Sequence, residues 1–193
     1  MCRKGAGRSC IHNRFVRFLL YYQTPYIYVL YCITGFHIQK GAFMNQMQAL
    51  LSNCTLCPRN CNVNRLEGQT GYCGETADLV AARAALHMWE EPCISGSVGS
   101  GTVFFGGCNL KCVFCQNHSI AVGDTGKQIT IPRLTEIFLQ LQDKNAANIN
   151  LVTPTHFIPQ IREALLAAKK QGLTIPIVYN TGGYEKVESL QLL

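Results

Sequence analysis

Short apolar runs separated by amphipathic segments organise the second half of this 193-residue chain. Residues 102–105, 149–152 and 175–179 are rich in β-branched and aromatic residues without polar alternation, which predicts buried strands. The segment that begins at Pro132 and residues 158–171 carry apolar side chains at helical spacing. Buried strands that alternate with amphipathic helices predict an α/β fold with a helix-covered parallel sheet.

The preceding region, residues 44–95, has a different pattern. A short helix is predicted over 44–51, followed by a stretch rich in cysteine, asparagine and glycine over 54–74. Residues 78–91 are rich in alanine and end before Pro92, which predicts a further helix. We therefore expect a cysteine-rich region ahead of the α/β region, which we place at 96–193.

Residues 1–43 stand apart in charge. They contain six lysines and arginines and no acid, and they account for the whole net charge of +6. Residues 44–193 are therefore neutral overall, which argues against a nucleic-acid-binding body. An uncharged stretch over 18–38 contains Pro25 and scattered tyrosines, which a membrane span disfavours. An extension upstream of a start at Met44 is our preferred interpretation; a membrane anchor and a folded N-terminal element are the alternatives.

The chain contains eleven cysteines, and seven of them form two tight groups. An odd number at close spacing suits metal ligation better than a disulfide framework. Thiolates that bind iron or zinc need a reducing compartment, so we expect a cytoplasmic protein.

The downstream group follows a predicted strand directly and has the spacing Cys108-x3-Cys112-x2-Cys115. Three neighbouring thiolates can each bind one corner of a [4Fe-4S] cluster and leave the fourth iron open. An open metal position is typical of a reactive site. Residues 153–156 and 180–183 also follow predicted strands, so all three segments should meet at the carboxyl rim of the sheet.

The segment GGCNLKCVFCQN (106–117) resembles the radical S-adenosylmethionine (SAM) superfamily, with Phe114 as the aromatic residue of its cysteine motif. From about residue 53 onward, the chain resembles radical SAM proteins described as homologues of pyruvate formate-lyase activating enzyme. The blocks that carry this closer resemblance are CTLCPRNCNVNR (54–65), ALHMWEEPCISG (85–96), VTPTHF (152–157) and YNTGGY (179–184).

The resemblance implies a radical SAM oxidoreductase with a [4Fe-4S] cluster and SAM as cofactors. In that superfamily, reductive cleavage of SAM gives a 5′-deoxyadenosyl radical that abstracts hydrogen from the substrate. The closer resemblance implies an activase whose substrate is a backbone glycine of a partner enzyme. It also implies a single-electron donor such as flavodoxin or ferredoxin; no nucleic-acid partner and no membrane association are expected.

The resemblance also implies SAM contacts at the rim. The candidates are Phe114, Asn117, Thr153, Thr155, His156, Asn180, Thr181 and Gly182. Two features depart from the common pattern: the Gly-Gly-Glu that holds the SAM amino group is replaced by the polar segment 153–156, and Asn180 stands where activating enzymes carry aspartate. Ordinary capping of strand-to-helix turns is the alternative role for these side chains. No catalytic residue is assigned.

The upstream group offers four more thiolates at Cys54, Cys57, Cys61 and Cys73. Four thiolates suffice for a tetrahedral zinc site or for a second iron–sulfur cluster, and the spacing does not choose between them. Two other functions stay open for the whole chain. One is a radical SAM enzyme that acts on a small molecule, and the other is a non-catalytic iron–sulfur or zinc module for electron transfer or protein interaction.

The predicted fold class is α/β, a partial radical SAM barrel with about three of six β/α units. Half a barrel would leave an unpaired strand edge and exposed apolar helix faces. We therefore expect the sequence to be the N-terminal part of a longer protein, and we do not expect turnover from this half-barrel alone.

Overall fold

A computed structural model describes the backbone of residues 12–13, 16–23, 26–33 and 40–193, and the side chains from residue 45 onward. The strands are β1 (His12–Asn13), β2 (Val16–Gln23), β3 (Tyr26–Ile33), β4 (Val80–His87), β5 (Ser100–Phe105), β6 (Lys127–Gln128), β7 (Ile149–Val152) and β8 (Ile177–Thr181). The α-helices are α1 (Lys40–Ser52), α2 (Pro92–Ser95), α3 (His118–Ala121), α4 (Ile131–Asp143), α5 (Ile158–Lys170) and α6 (Val187–Leu190).

All these strands belong to one sheet with the order β1-β2-β3-β8-β7-β5-β4-β6. Its centre is parallel: β5 pairs with β7, and β7 pairs with β8. The predicted strands, their parallel pairing and the α/β fold class are therefore confirmed. The sheet of the described residues is open, with β1 and β6 at its edges, so these residues do not close a barrel.

Helices α4 and α5 cover one face of the parallel strands. Thr130 caps α4 by accepting a hydrogen bond from the Arg133 amide, and Pro132 occupies its first turn. Apolar side chains three and four positions apart turn to the sheet on both helices. The fully buried residues of this core include Val103, Leu134, Phe138, Leu151, Ile161 and Leu165.

The prediction of a helix over 78–91 is wrong. Residues Val80–His87 form strand β4, which pairs antiparallel with β5 from Ala81 to His87 and with the short β6. The alanines favour a helix locally, but β5 would otherwise present unpaired backbone groups on that side. Hydrogen bonding along a whole strand outweighs the helix preference of a few alanines.

The other edge of the parallel strands, formed by β8, is also paired. Strand β3 pairs antiparallel with β8, with Val29 opposite Thr181 and Cys32 opposite Val178, and β2 pairs with β3. The strand edge that we expected to be unpaired is thus occupied by residues of the N-terminal segment. Within the described residues, no helix is long and apolar enough to cross a membrane.

Candidate functional site

The loop that carries Cys108, Cys112 and Cys115 leaves the carboxyl end of β5 through Gly106 and Gly107. Gly107 has a φ of +72°, and a Cβ atom there would lie 2.6 Å from the carbonyl oxygen of Cys73. A side chain is thus excluded by the backbone conformation and by the contact with the cysteine-rich region. Glycine is needed here because the start of the cysteine loop passes directly against the backbone at Cys73.

Replacing Gly107 with alanine should lower the free energy of unfolding by about 2–4 kcal/mol, because left-handed strain adds to a collision with backbone. Gly68 is a matched control, since its φ is +80° and a Cβ atom added there would meet nothing within 4 Å. Gly68→Ala should cost only about 1 kcal/mol. Chemical denaturation of both variants under anaerobic conditions measures the difference, and equal losses would contradict the close approach at Gly107.

The three thiols of the loop are partly buried and free of disulfides. The Cys108 sulfur accepts a hydrogen bond from the Leu110 amide, two residues on, at 3.3 Å. Amides aimed at a sulfur stabilise a thiolate, as they do in iron–sulfur sites. Val113 and Phe114 at the tip are 95% and 71% exposed. In donor chemistry and in this amide contact, the loop fits a [4Fe-4S] cluster bound by three cysteines.

The sulfur atoms of the three thiols are not yet close enough together to hold a metal centre. Within residues 45–193, no three histidine, cysteine, aspartate or glutamate side chains are close enough together to hold a metal ion. Binding would have to draw the sulfur atoms together, which is usual for sites whose formation is coupled to metal uptake.

Part of the predicted SAM-contacting set lies at the open rim. Thr153 directly follows β7 and has a φ of +55°, a strained conformation for a β-branched residue. Its amide donates to the Asn180 carbonyl at 3.0 Å. A Cβ atom at Gly182 would lie 2.5 Å from the Leu110 side chain of the cysteine loop. Thr153, Asn180 and Gly182 are therefore brought to the same edge of the sheet as the loop. Asn117 precedes α3 directly after the loop.

Thr155 and Thr181 lie deeper, and a residue that the sequence analysis missed holds their side chains. Thr155 donates to the Glu185 carboxylate at 2.6 Å, and Thr181 donates to it as well. The Tyr179 hydroxyl lies 3.0 Å from the Thr155 hydroxyl oxygen. Burial raises the pKa of Glu185, and the two threonines and Tyr179 oppose that rise. These hydroxyls thus fix the end of β8 rather than face the opening.

His156 also points inward. It is 3% exposed, and its Nε2 lies 2.5 Å from the Gly106 carbonyl oxygen, which requires that nitrogen to carry the proton. Burial, together with nearby Arg65, lowers the pKa of His156 to about 3. A neutral imidazole at this position fastens the end of β7 to the start of the cysteine loop.

The buried imidazole should make the protein sensitive to acid. The unfolded state gains the His156 proton below about pH 6.5, whereas the folded state resists it down to about pH 3. Between these limits, this group lowers the unfolding free energy by about 1.4 kcal/mol for each pH unit of acidification. The raised pKa values of Glu75, Glu90 and Glu185 act in the opposite direction above pH 4.5.

Because the three glutamates remain in a histidine variant, the His156 contribution is isolated by difference. On acidification from pH 6.5 to 4.5, the unfolding free energy of His156→Gln should fall less, or rise more, than that of the parent protein. His118→Gln is the control for replacing a histidine at an exposed position. Parallel curves for His156→Gln and the parent would show that His156 does not titrate as described.

The four upstream cysteines, Cys54, Cys57, Cys61 and Cys73, surround one cavity, and we call them the upstream cysteine group. Two arginines, Arg59 and Arg65, line the same cavity together with Asn109 and His156. Burial raises the pKa of Cys57, and the other three cysteines raise it further by their proximity. The structure thus brings the four predicted ligands around a common space.

This upstream group is joined to the cysteine loop. The Arg59 side chain donates to the Asn109 carbonyl at 2.9 Å and stacks on the Tyr72 ring, with 3.6 Å between guanidinium carbon and ring centroid. The Tyr72 hydroxyl donates to the Leu110 carbonyl at 3.3 Å. The two cysteine segments, distant in sequence, therefore share one interface.

Arg59, Arg65 and Glu185 are the residues of this site that the sequence analysis missed. Arg65 and Glu185 make contacts across 91 and 30 residues of sequence, respectively, with His156 and Thr155. The hydrophobic and polar pattern around each residue does not reveal contacts with residues so distant in sequence. A weak signal was present in the block 54–65, which places both arginines among the cysteines.

Comparison with known proteins agrees with this geometry. Residues 102–193 match the Radical SAM superfamily. The matched radical SAM region begins inside β5, includes the cysteine loop and extends over both helix-covered parallel strands that follow. The loop after β5 and the rim residues of β7 and β8 therefore lie within the matched residues.

A curated relative extends the similarity beyond the radical SAM region. The uncharacterized protein MJ0674 of Methanocaldococcus jannaschii is 35% identical over 153 residues, which cover 75% of this chain and 43% of the relative. The chain thus spans less than half the length of that protein. No solved structure gives a significant match.

Proposed function

We propose that this chain is the cluster-bearing part of a radical SAM enzyme that abstracts hydrogen from its substrate. The observation that carries the proposal is the loop of three disulfide-free thiols at the carboxyl end of β5, inside the region that matches the superfamily. Parallel strands bring their carboxyl ends, and the ligands bound there, to one rim. The geometry of β5, β7 and β8 meets that requirement.

Cys108, Cys112 and Cys115 would hold the [4Fe-4S] cluster and leave one iron free for SAM. When bound, the cluster and SAM supply a one-electron cleavage that yields a 5′-deoxyadenosyl radical. The chain's own contribution is placement. Asn180 and Thr153 offer amide and hydroxyl groups at the rim for the polar end of SAM, and Phe114 offers an exposed aromatic face for its adenine.

The sheet face opposite α4 and α5 is the proposed substrate side. Val103 and Leu151 point to the helices, so the neighbouring Thr102 and Asn150 point away from them. The Glu90 carboxylate lies near both of these side chains and 3.4 Å from His87 Nδ1. Because Thr102 and Asn150 are almost fully buried, the partly exposed His87 and Glu90 are the groups that would meet a substrate bound over the sheet.

As the finer assignment, we propose an activase that acts on a backbone glycine of a partner protein. The support is the resemblance of the blocks over 54–184 to activating-enzyme homologues. Exposed apolar side chains at Trp89, Val113 and Phe114 add to it, because such residues are common where a macromolecule docks. A cytoplasmic single-electron donor completes the proposal, since the cluster must be reduced before each cleavage.

Anaerobic reconstitution of the protein with iron and sulfide tests the radical SAM assignment. The EPR spectrum of the reduced cluster should change when SAM is added, and 5′-deoxyadenosine should accumulate. A spectrum that is insensitive to SAM, with no 5′-deoxyadenosine formed, would overturn the assignment.

The substrate class needs a second experiment. A fully deuterated cell extract of the source organism, separated into macromolecules and small molecules, is offered to the reconstituted enzyme. Deuterium should enter 5′-deoxyadenosine from the macromolecular fraction. Transfer from the small-molecule fraction alone would overturn the activase assignment and leave the radical SAM assignment intact.

A further inference from the structure

We propose that the upstream cysteine group binds a thiophilic metal centre through four thiolates, with Arg65 as its buried counter-charge. The centre would be a zinc ion or an iron–sulfur cluster, both of which accept four cysteines. This inference concerns a site outside the region that matches the superfamily, and it does not depend on the proposed function.

The backbone of the group is folded so that all four cysteines line one cavity. Their sulfur atoms are not yet close enough together to hold a metal ion, so metal uptake would have to draw them together. The Cys54 amide donates to Val63 O and the Asn62 amide donates to Cys54 O, each at 3.0 Å, so the chain doubles back on itself. Asn60 and Asn62 adopt φ values of +44° and +56° within this turn. Asparagine adopts the left-handed region more readily than most residues, so both positions suit this tight turn.

Backbone amides point at three of the four sulfur atoms. The Tyr72 amide donates to the Cys61 sulfur at 3.4 Å. The amides of Arg59 and Glu75, each two residues beyond a cysteine, donate to Cys57 and Cys73. This is the arrangement found at Cys108 in the downstream loop. Neutral thiols gain little from such donors, whereas metal-bound thiolates are stabilised by them.

The lack of a side chain at Gly71 leaves space for the Cys61 sulfur atom. A Cβ atom at Gly71 would lie 2.8 Å from the Cys61 sulfur, so any side chain there would displace it. Cys54 and Cys73 are each about nine-tenths buried, while Cys61 is only partly so. A set of thiols whose only role was to fill a core would not need a glycine and directed amides to position them.

Charge supplies the second, independent argument. Arg65 is 1% exposed and lines the cavity, and its guanidinium donates to the carbonyls of Glu75, Thr76 and His156. Among the residues whose side chains are described, no carboxylate lies within ion-pair distance of it. Glu75 lies near Arg65 but forms no ion pair with it.

A buried cation without a paired anion is costly, and that cost falls when an anion is bound nearby. Four thiolates around a divalent ion carry a net charge of −2, and a four-cysteine iron–sulfur cluster is also anionic. Either centre would supply the negative charge that Arg65 lacks. Arg65 and Cys73 line the same cavity, which places the guanidinium charge beside one of the proposed ligands.

The test uses the full chain with Cys108, Cys112 and Cys115 replaced by serine, so that any bound metal belongs to the upstream group. Elemental analysis after anaerobic purification should find about one zinc per chain, or iron with an equal amount of sulfide. Adding Cys57→Ser and Cys61→Ser should remove that metal. Equal metal content in the two proteins would overturn the proposal.

Serine variants could fail to fold, so the parent protein provides a second measurement. After purification, Cys54, Cys57, Cys61 and Cys73 should resist alkylation, as read by mass spectrometry, and should become reactive when a chelator removes the metal. Reactivity that is unchanged by the chelator would count against a bound metal in the same way.

The role of Arg65 is tested by cobalt titration of the triple serine variant, followed by its thiolate-to-metal absorption. Arg65→Met should weaken cobalt binding about 10- to 100-fold, and Arg65→Lys should restore part of the affinity because it keeps the charge. Identical affinities for the methionine and lysine variants would show that Arg65 is not the counter-charge.

Discussion

Cys112→Ser should abolish the SAM-dependent change in the EPR spectrum and the formation of 5′-deoxyadenosine. Each of the three loop cysteines would bind one iron corner, and a serine hydroxyl is a poor replacement for a thiolate ligand. The loss should be complete rather than partial, because the cluster has no other ligands in the loop. We expect the same result for Cys108→Ser and Cys115→Ser.

The measurement is anaerobic reconstitution of each variant, with EPR spectra before and after SAM and chromatography for 5′-deoxyadenosine. Total iron is not a sufficient readout, because the upstream cysteine group could hold iron as well. Cys93→Ser, on the surface at α2, is the control and should behave like the parent. If Cys112→Ser kept the response to SAM, the three-cysteine assignment would be wrong.

Arg65→Met should lower the unfolding free energy of the metal-free protein by about 3–5 kcal/mol. The guanidinium satisfies three backbone carbonyls, two in the cysteine-rich region and one at His156 beyond β7. Methionine fills similar space but donates no hydrogen bond, and a buried carbonyl left without a donor costs roughly 1–3 kcal/mol. The variant therefore loses a hydrogen-bonded contact between the cysteine-rich region and the rim of the sheet.

Arg133→Met is the matched control for this loss. Arg133 lies on the surface of α4 in an ion pair of 2.8 Å with Glu136, and both side chains are largely exposed. Such pairs contribute about 0.5 kcal/mol or less on a helix. Denaturant midpoints measured by circular dichroism, with chelator present, should separate the two variants clearly. A shift for Arg65→Met no larger than that for Arg133→Met would contradict its anchoring role.

The parallel centre of the fold could be predicted because its signals are local. Strands β5, β7 and β8 are continuous apolar runs, and α4 and α5 carry apolar residues at helical spacing behind Pro132 and Pro159. A buried parallel strand and an amphipathic helix each have one sequence pattern that little else produces. The rim position of the cysteine loop followed from the same alternation.

The errors arise where contacts distant in sequence decide the outcome. The alanines of β4 favour a helix in isolation, and only pairing with β5 makes them a strand. His156 was expected among the SAM-contacting residues of the rim, yet its ring turns inward to Gly106. Glu185 was overlooked because its partners, Thr155 and Thr181, are recognisable only once β7 and β8 lie side by side.

The pairing of β3 with β8 has a consequence for how this sheet can grow. Backbone groups along one side of a strand serve a single neighbour, and those of β8 from Val178 to Thr181 already serve β3. A parallel strand supplied by another stretch of polypeptide could therefore join β8 only by displacing β3. Strand β3 and such an incoming strand compete for one edge of β8, and they cannot occupy it together.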